Sequence, residues 1–210
     1  MGIELDSFKI YQVPEGRQPT AEEFEIATKV IGSFRPFMGG EVDQRSLLGK
    51  KLNWERFFLI KKGENVVGVL SFYLAKVGPY NLGYLDFSRQ FNPVSGLFRF
   101  LIYRAVTIRF TYPESYISHF FIRPSARKLG LASQLLEYWL KYMHDHGISH
   151  VDLDVYEKNF KAIGLYQKHG FRTKKARKLP LLGRLLPGDS ILTLTKSSET
   201  TEKQKRVINE

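Results

Sequence analysis

This sequence predicts an α/β fold of strands and helices in one domain. Three observations carry that reading. Runs of β-branched and aromatic residues of strand length recur along the chain. After residue 115 they alternate with apolar stripes of helical period. Earlier, two such runs are joined by a tight glycine turn, as in a hairpin.

Taken in order, Thr20-Ala-Glu-Glu23 is a capping box ahead of Phe24, Ala27, Val30 and Ile31, so a first helix is expected over 20–34. Residues 42–51 suit a short second helix. Trp54–Ile60 and Val66–Ala75 read as strands joined by Lys62-Gly-Glu-Asn65. Residues 76–114 form an excursion, rich in turn formers at first (Gly78-Pro79, Asn81, Gly83, Asn92-Pro93) and then apolar from Leu97 to Phe110. Arg99, Arg104 and Arg109 fall every five residues there, which scatters them around a helix and leaves helix and strand both open. A strand over 116–122 follows, then a helix over 130–146 whose Leu131, Leu135, Leu136, Trp139, Leu140 and Met143 recur at helical spacing. Next come a strand over 150–156, a helix over 159–169, and closing strands near 171–177 and 190–195. Residues 1–196 are expected to form one domain, with 76–114 inserted between the third and fourth strands and 197–210 a flexible tail.

Composition excludes several function classes. With no cysteine, the chain has no disulfide, thiolate metal site or cysteine nucleophile, and no metal ligand set is expected. Met1-Gly-Ile-Glu-Leu-Asp6 lacks a signal-peptide core, and no uncharged apolar run approaches the roughly 18 residues of a membrane span, so a cytoplasmic protein is expected. The net charge of +11 is uneven: Lys76, Arg89, Arg99, Arg104 and Arg109 face only Asp86 between 76 and 113. Between 172 and 188, Arg172, Lys174, Lys175, Arg177, Lys178 and Arg184 face no acid. These two segments are expected to meet around a substrate mouth, drawing an anionic acceptor or a membrane surface. A plain solvated surface is the alternative. Nucleic acid is disfavoured, because no recognition motif or aromatic stacking platform accompanies the charge.

The chemistry concentrates in Arg123-Pro-Ser-Ala-Arg-Lys-Leu-Gly-Leu-Ala-Ser133, between the strand at 116–122 and the helix that follows. Small residues at Gly130 and Ala132 let a ligand approach the backbone, and free amides at a helix start favour an anion. Neither G-x-x-x-x-G-K-[ST] nor G-x-G-x-x-G is present.

Arg127-x-x-Gly130-x-Ala132 resembles the coenzyme A loop of the GNAT N-acetyltransferase superfamily. A second block supports it: Val151-Asp-Leu-Asp-Val155, then Asn159, Ala162, Tyr166 and Gly170-Phe171. The element order β-α-α-β-β-β-α-β-α-β-β also resembles that fold, which implies a mixed twisted sheet of about seven strands flanked by helices, split in a V between strands 4 and 5. The resemblance implies an acetyl-CoA-dependent N-acetyltransferase that moves acetyl directly to an amine of a small molecule or protein. It places pantetheine on the backbone of Phe120, Phe121 and Ile122, and pyrophosphate on Lys128, Leu129, Gly130, Leu131, Ala132 and Ser133, with Arg127 adding charge. Lys128 replaces a glycine common in that loop. Asn159 caps its helix and contacts cofactor, and Tyr166 protonates the leaving thiolate. Asp154 is implied as base, one methylene shorter than a glutamate used by some relatives. His119 is the rival by intrinsic pKa, and Glu114 and Asp86 flank the excursion. A non-catalytic acyl-CoA-binding module and a membrane-surface acyltransferase remain as alternative readings, the latter resting on Leu179-Pro-Leu-Leu-Gly-Arg-Leu-Leu-Pro187 and the apolar run after Leu97. A homodimer also stays open.

Overall fold

The computed structural model describes residues 8–29, 38–49, 51–111, 113–178 and 190–197. Strand β1 (Phe8–Tyr11) precedes helices α1 (Ala21–Lys29) and α2 (Glu41–Leu48), then strands β2 (Phe57–Lys62) and β3 (Asn65–Leu74). Helices α3 (Tyr84–Phe91) and α4 (Pro93–Thr107) lead to β4 (Ser115–Ile122), α5 (Leu131–Asp145), β5 (His150–Tyr156), α6 (Phe160–Lys168), β6 (Arg172–Lys178) and β7 (Ser190–Ser197). The seven strands form one open sheet in the order β1-β2-β3-β4-β5-β7-β6. Every neighbouring pair is antiparallel except β4 and β5, which run parallel.

Over β2 and β3 both faces of the sheet are buried, and strand alternation decides which residue serves which face. Phe58, Ile60, Leu70 and Phe72 meet Leu135, Leu136, Trp139 and Met143 of α5 and Tyr166 of α6. Phe57, Leu59 and Val69 point the other way, onto Ile26 of α1, Leu48 of α2, Phe87 of α3 and Tyr103 of α4. Trp139 is completely buried, and truncating such a residue to alanine costs about 3–5 kcal/mol.

The excursion is helical, which resolves the open choice. Gly83 starts α3, its amide donating to Asp86 Oδ2 at 2.8 Å. Asn92 caps α4, its Oδ1 accepting from the Ser95 amide at 3.0 Å, and Pro93 takes the first helical position. The two helices cross closely at Gly96, where an added Cβ would lie 2.6 Å from Ser88 N. Other boundaries move slightly. Trp54–Arg56 is a short 3-10 turn, so β2 begins at Phe57, and β7 continues to Ser197, the first residue of the expected tail. The expected part of the first helix beyond Lys29, the tip at 179–187 and the rest of the tail lie outside the described residues.

The sheet opens between β4 and β5. Their ladder holds only Ser115↔Val151, Tyr116↔Asp152 and Ile117↔Leu153. At that point β4 carries a bulge: His119 pairs with Ser71 and Ile117 with Phe72, leaving Ser118 as the extra residue. A bulge bends its strand, and this one turns β4 away from β5. Ser118 Oγ meets Ser71 Oγ at 2.9 Å, so the extra residue is tied back to β3.

Candidate active site at the split sheet

Beyond Ile117, among the described residues, nothing pairs with the edge of β4 that faces the opening. Phe120, Phe121 and Ile122 lie on this stretch, with side chains packed into the two cores, so only their backbone is available. The loop after β4 is anchored by Arg123, whose amide donates to Val67 O and whose Nε donates to Val66 O, both at 2.8 Å. Its guanidinium lies 3.7 Å from both Glu22 and Glu25 of α1.

The loop then presents bare backbone. Lys128 and Gly130 both take left-handed conformations, with φ of 65° and 77°. Gly130 begins α5 without a side-chain cap, and the first helical bond runs from Gln134 N to Gly130 O. Among the described residues, no group accepts from the amides of 128–133. Six consecutive donors at a helix start make an anion cradle. The nearest atom to a Cβ built on Gly130 is Gln134 Nε2, 4.0 Å away, so the mouth is open. Lys128 therefore holds a left-handed conformation that favours glycine. The Leu131 side chain is buried in the core, which leaves its amide at the start of the helix beside those of Ala132 and Ser133. Arg127 donates from Nε to Ile122 O at 3.1 Å, which tethers it to the strand end. Leu129 is exposed at the loop's edge.

Tyr166 lies on α6 between Phe120 and Phe171, with ring centroids at 6.3 Å and 5.7 Å. Burial pushes its phenol well above the usual value, so it remains protonated at neutral pH. Asn159 caps α6, its Oδ1 accepting from the Ala162 amide at 3.3 Å. His119 sits on the unpaired half of β4. Part of it reaches the surface, yet its ring is desolvated and its pKa is pulled down to about 3.

On β5, Asp152 and Asp154 face away from α5 and α6. Lys174 Nζ lies 2.8 Å from Asp152, while Asp154 receives Arg177 at 2.6 Å and the Thr193 hydroxyl at 2.7 Å. With Pro113 and Tyr116 these groups line a pocket of 220 Å³, whose cations, Lys174 and Arg177, come from the second basic segment alone, while Lys76 and Arg104 of the first line a different cavity. Glu114 accepts from the amides of Ser149 and His150, and Asp86 is spent on the start of α3. Both are structural here.

A larger cavity of 710 Å³ lies between α4 and the loop after β3, and the sequence reading missed it. Lys51, Lys76 and Arg104 line it with Tyr73, Tyr103 and Thr107, and no carboxylate does. Lys51 Nζ reaches Asp86 only at 3.7 Å. Burial pushes Tyr73 up to about 12 and raises Tyr103 as well, so both hydroxyls are donors at neutral pH. Ala75 and Lys76 hold positive φ of 50° and 69°, costing about 1 kcal/mol or more each. Gly78 admits the Tyr73 ring, which a Cβ there would strike. The run of turn formers near residue 78 was the only local signal.

Amides with no acceptor thus lie beside an unpaired strand edge in a split mixed sheet, an arrangement suited to an extended anionic ligand. The chain belongs to the Acetyltransferase (GNAT) family, which it matches over residues 28–171, and it is an acetyl-CoA-dependent acetyltransferase. No curated protein sequence matches it. Its fold is similar to that of a Bacillus subtilis acetyltransferase in complex with CoA, at TM-score 0.56 and 14% identity, covering 91% of this chain and 99% of that one. It is also similar to a GNAT family acetyltransferase from Elizabethkingia anophelis with acetyl-CoA bound, at TM-score 0.55 and 14% identity, covering 92% and 99%. A third similar structure is the ribosomal-protein-S18-alanine N-acetyltransferase from Escherichia coli, at TM-score 0.53 and 12% identity, covering 91% and 94%. Among the described residues, no helix is long and apolar enough to cross a membrane, and no group of side chains could hold a metal ion.

Proposed function

We propose that the protein transfers acetyl from acetyl-CoA directly to the amine of a small acceptor that also carries a carboxylate or phosphate. The observation that carries this reading is the juxtaposition of free amides, an open strand edge and a protonated tyrosine. In this reading the amides of 128–133 hold the pyrophosphate, and the β4 edge at Phe120–Ile122 pairs with the amides of the pantetheine arm. Acetyl-CoA supplies the activated thioester. The acceptor nitrogen bonds to the acetyl carbon as the carbon–sulfur bond breaks. Tyr166 gives its proton to the leaving thiolate and is restored by the proton that the amine loses.

A lysine-like amine, with pKa about 10.4, is neutral only in about one part in a few thousand at pH 7. The cations of the 710 Å³ cavity address this, because like charges lower an ammonium pKa while attracting the acceptor's anionic end. Tyr73 of that cavity pairs with Tyr116, two residues before the bulge, roughly 7 Å along the strand. Of the two base candidates, we keep Asp154 as a relay acting through water, since it faces the 220 Å³ pocket. His119, whose ring burial lowers its pKa, stays the rival.

An acceptor screen with free-thiol detection tests the reading. Thiol release is expected with amines bearing a carboxylate or phosphate. Arg104→Ala is expected to raise the acceptor KM about tenfold, as loss of one charged hydrogen bond does, with little change in kcat. Coenzyme A binding without thiol release for any amine would favour the non-catalytic module instead.

A further inference from the structure

Helix α4 is apolar on both faces, and only one of them is used by the fold. Gly96, Tyr103 and Thr107 are buried against the body of the protein. On the outside, Val94, Leu97, Phe98 and Leu101, with Ile108 just beyond the helix, are between 45% and 82% exposed. At ~100° per residue these five positions fall within one sector of about 100°, a stripe about 20 Å long at ~1.5 Å per residue. Leu85 of α3, 61% exposed, widens it. A run of large exposed apolar groups of this extent marks an interaction surface.

The charges around the stripe select the partner. Arg89, one turn beyond Leu85, is exposed on α3, and Arg104, exposed on the other flank, marks where the ridge ends at the 710 Å³ cavity that it also lines. The Arg99 guanidinium lies over the Phe91 ring at 4.3 Å. Asp86 is the sole acidic residue from Tyr84 to Phe110, and it is engaged by the Gly83 amide and Lys51. The hairpin thus offers an apolar ridge with a cationic rim. A self-contact would bring one cationic rim against another in a chain already at +11. An anionic lipid surface takes up the ridge and neutralises the rim together.

We propose that the α3–α4 hairpin docks on an anionic membrane surface, with Val94, Leu97, Phe98 and Leu101 inserted at the headgroup boundary. Co-sedimentation of the full chain with vesicles tests it, using phosphatidylcholine alone and phosphatidylcholine mixed with phosphatidylglycerol. Sedimentation is expected with the mixed vesicles, weakening as salt rises and about fivefold weaker in Arg89→Ala. The double variant Phe98→Glu, Leu101→Glu, both on the exposed face, should lose at least about tenfold in binding while keeping its circular dichroism and acetyl-transfer rate. Equal sedimentation with both lipids, none with either, or undiminished binding of the double variant would overturn the proposal. So would a wild-type dimer in solution that the double variant resolves into monomers.

Discussion

Strands β4 and β5 leave a ladder of three residue pairs at the same point, yet they meet the opening with opposite resources. The β4 side offers bare backbone: a free edge past Ile117 and the unpartnered amides of 128–133. The β5 side is already satisfied. β5 pairs along its whole length with β7, from His150↔Ser197 to Tyr156↔Ile191, and its carboxylates are closed by Lys174, Arg177 and Thr193. In the proposed reading the β4 wall binds through its backbone, while the β5 wall is set by paired side chains, with Asp154 left to act only through water. Ligand affinity should therefore follow backbone geometry on β4, and stability should follow side-chain pairing on β5.

The strongest way to break this contrast is Gly130→Arg. It fills the open mouth of the cradle at a φ that favours glycine, displacing hydrogen bonds to a charged group worth about 1.5–3 kcal/mol each. Coenzyme A affinity by calorimetry should fall by about 10² to 10⁴, with melting little changed. Unaltered affinity in the folded variant would remove the cradle from the binding site. Tyr166→Phe should lower kcat by about a hundredfold or more, while coenzyme A affinity stays within about threefold. Full kcat with a poor-leaving acyl donor would make the tyrosine structural.

On the β5 side the expected losses are in stability. Arg177→Met strands Asp154 beside Thr193; the 3–5 kcal/mol typical of a buried pair is reduced to about 1–2 because Arg177 is 32% exposed. Thermal melting should drop by roughly 3 to 8 °C with unchanged coenzyme A affinity, and a loss of affinity with no change in melting would invert the contrast. His119 sharpens it from the β4 side. Its folded pKa is depressed to about 3 from an unfolded value near 6.5, so its contribution to stability is present above about 6.5 and is lost as pH falls towards 3. Melting measured across that window should flatten in His119→Gln, while the pH profile of kcat/KM keeps its limbs. The smallest effect belongs to Lys128→Gly. It relieves a left-handed lysine but removes one cation, so melting should move by less than about 1 °C and coenzyme A KM should rise a few-fold, chiefly at low salt.

Much of the β4 wall is legible in the sequence. Gly130, Ala132 and the helical stripe from Leu131 to Met143 are local features, and β5 at 150–156 lies where its apolar alternation placed it. Asn159 was readable as a cap for the same reason. The excursion was not, since arginines at five-residue intervals obscured a helix whose outer face is itself apolar. Asn92-Pro93, read as a turn, was the cap and first residue of α4. The charge count of 172–188 was right as arithmetic, but two of its cations turn out to be matched by Asp152 and Asp154.

The sequence by itself determined the order of strands and helices after residue 115, the small-residue loop that exposes its amides, and the positions of Tyr166 and Asn159. Each depends on neighbours within a turn or two of chain, where periodicity and capping act. Only the tertiary structure decided where the sheet opens, because the bulge at Ser118 exists only in the register of β4 against β3. It alone decided which carboxylates are occupied, since Arg177 and Thr193 reach Asp154 across 23 and 39 residues of chain. The cationic cavity, too, arises only when Lys51, Lys76 and Arg104 are brought together by packing. Electrostatic pairing and strand register are set by distance in space, and no local pattern encodes them.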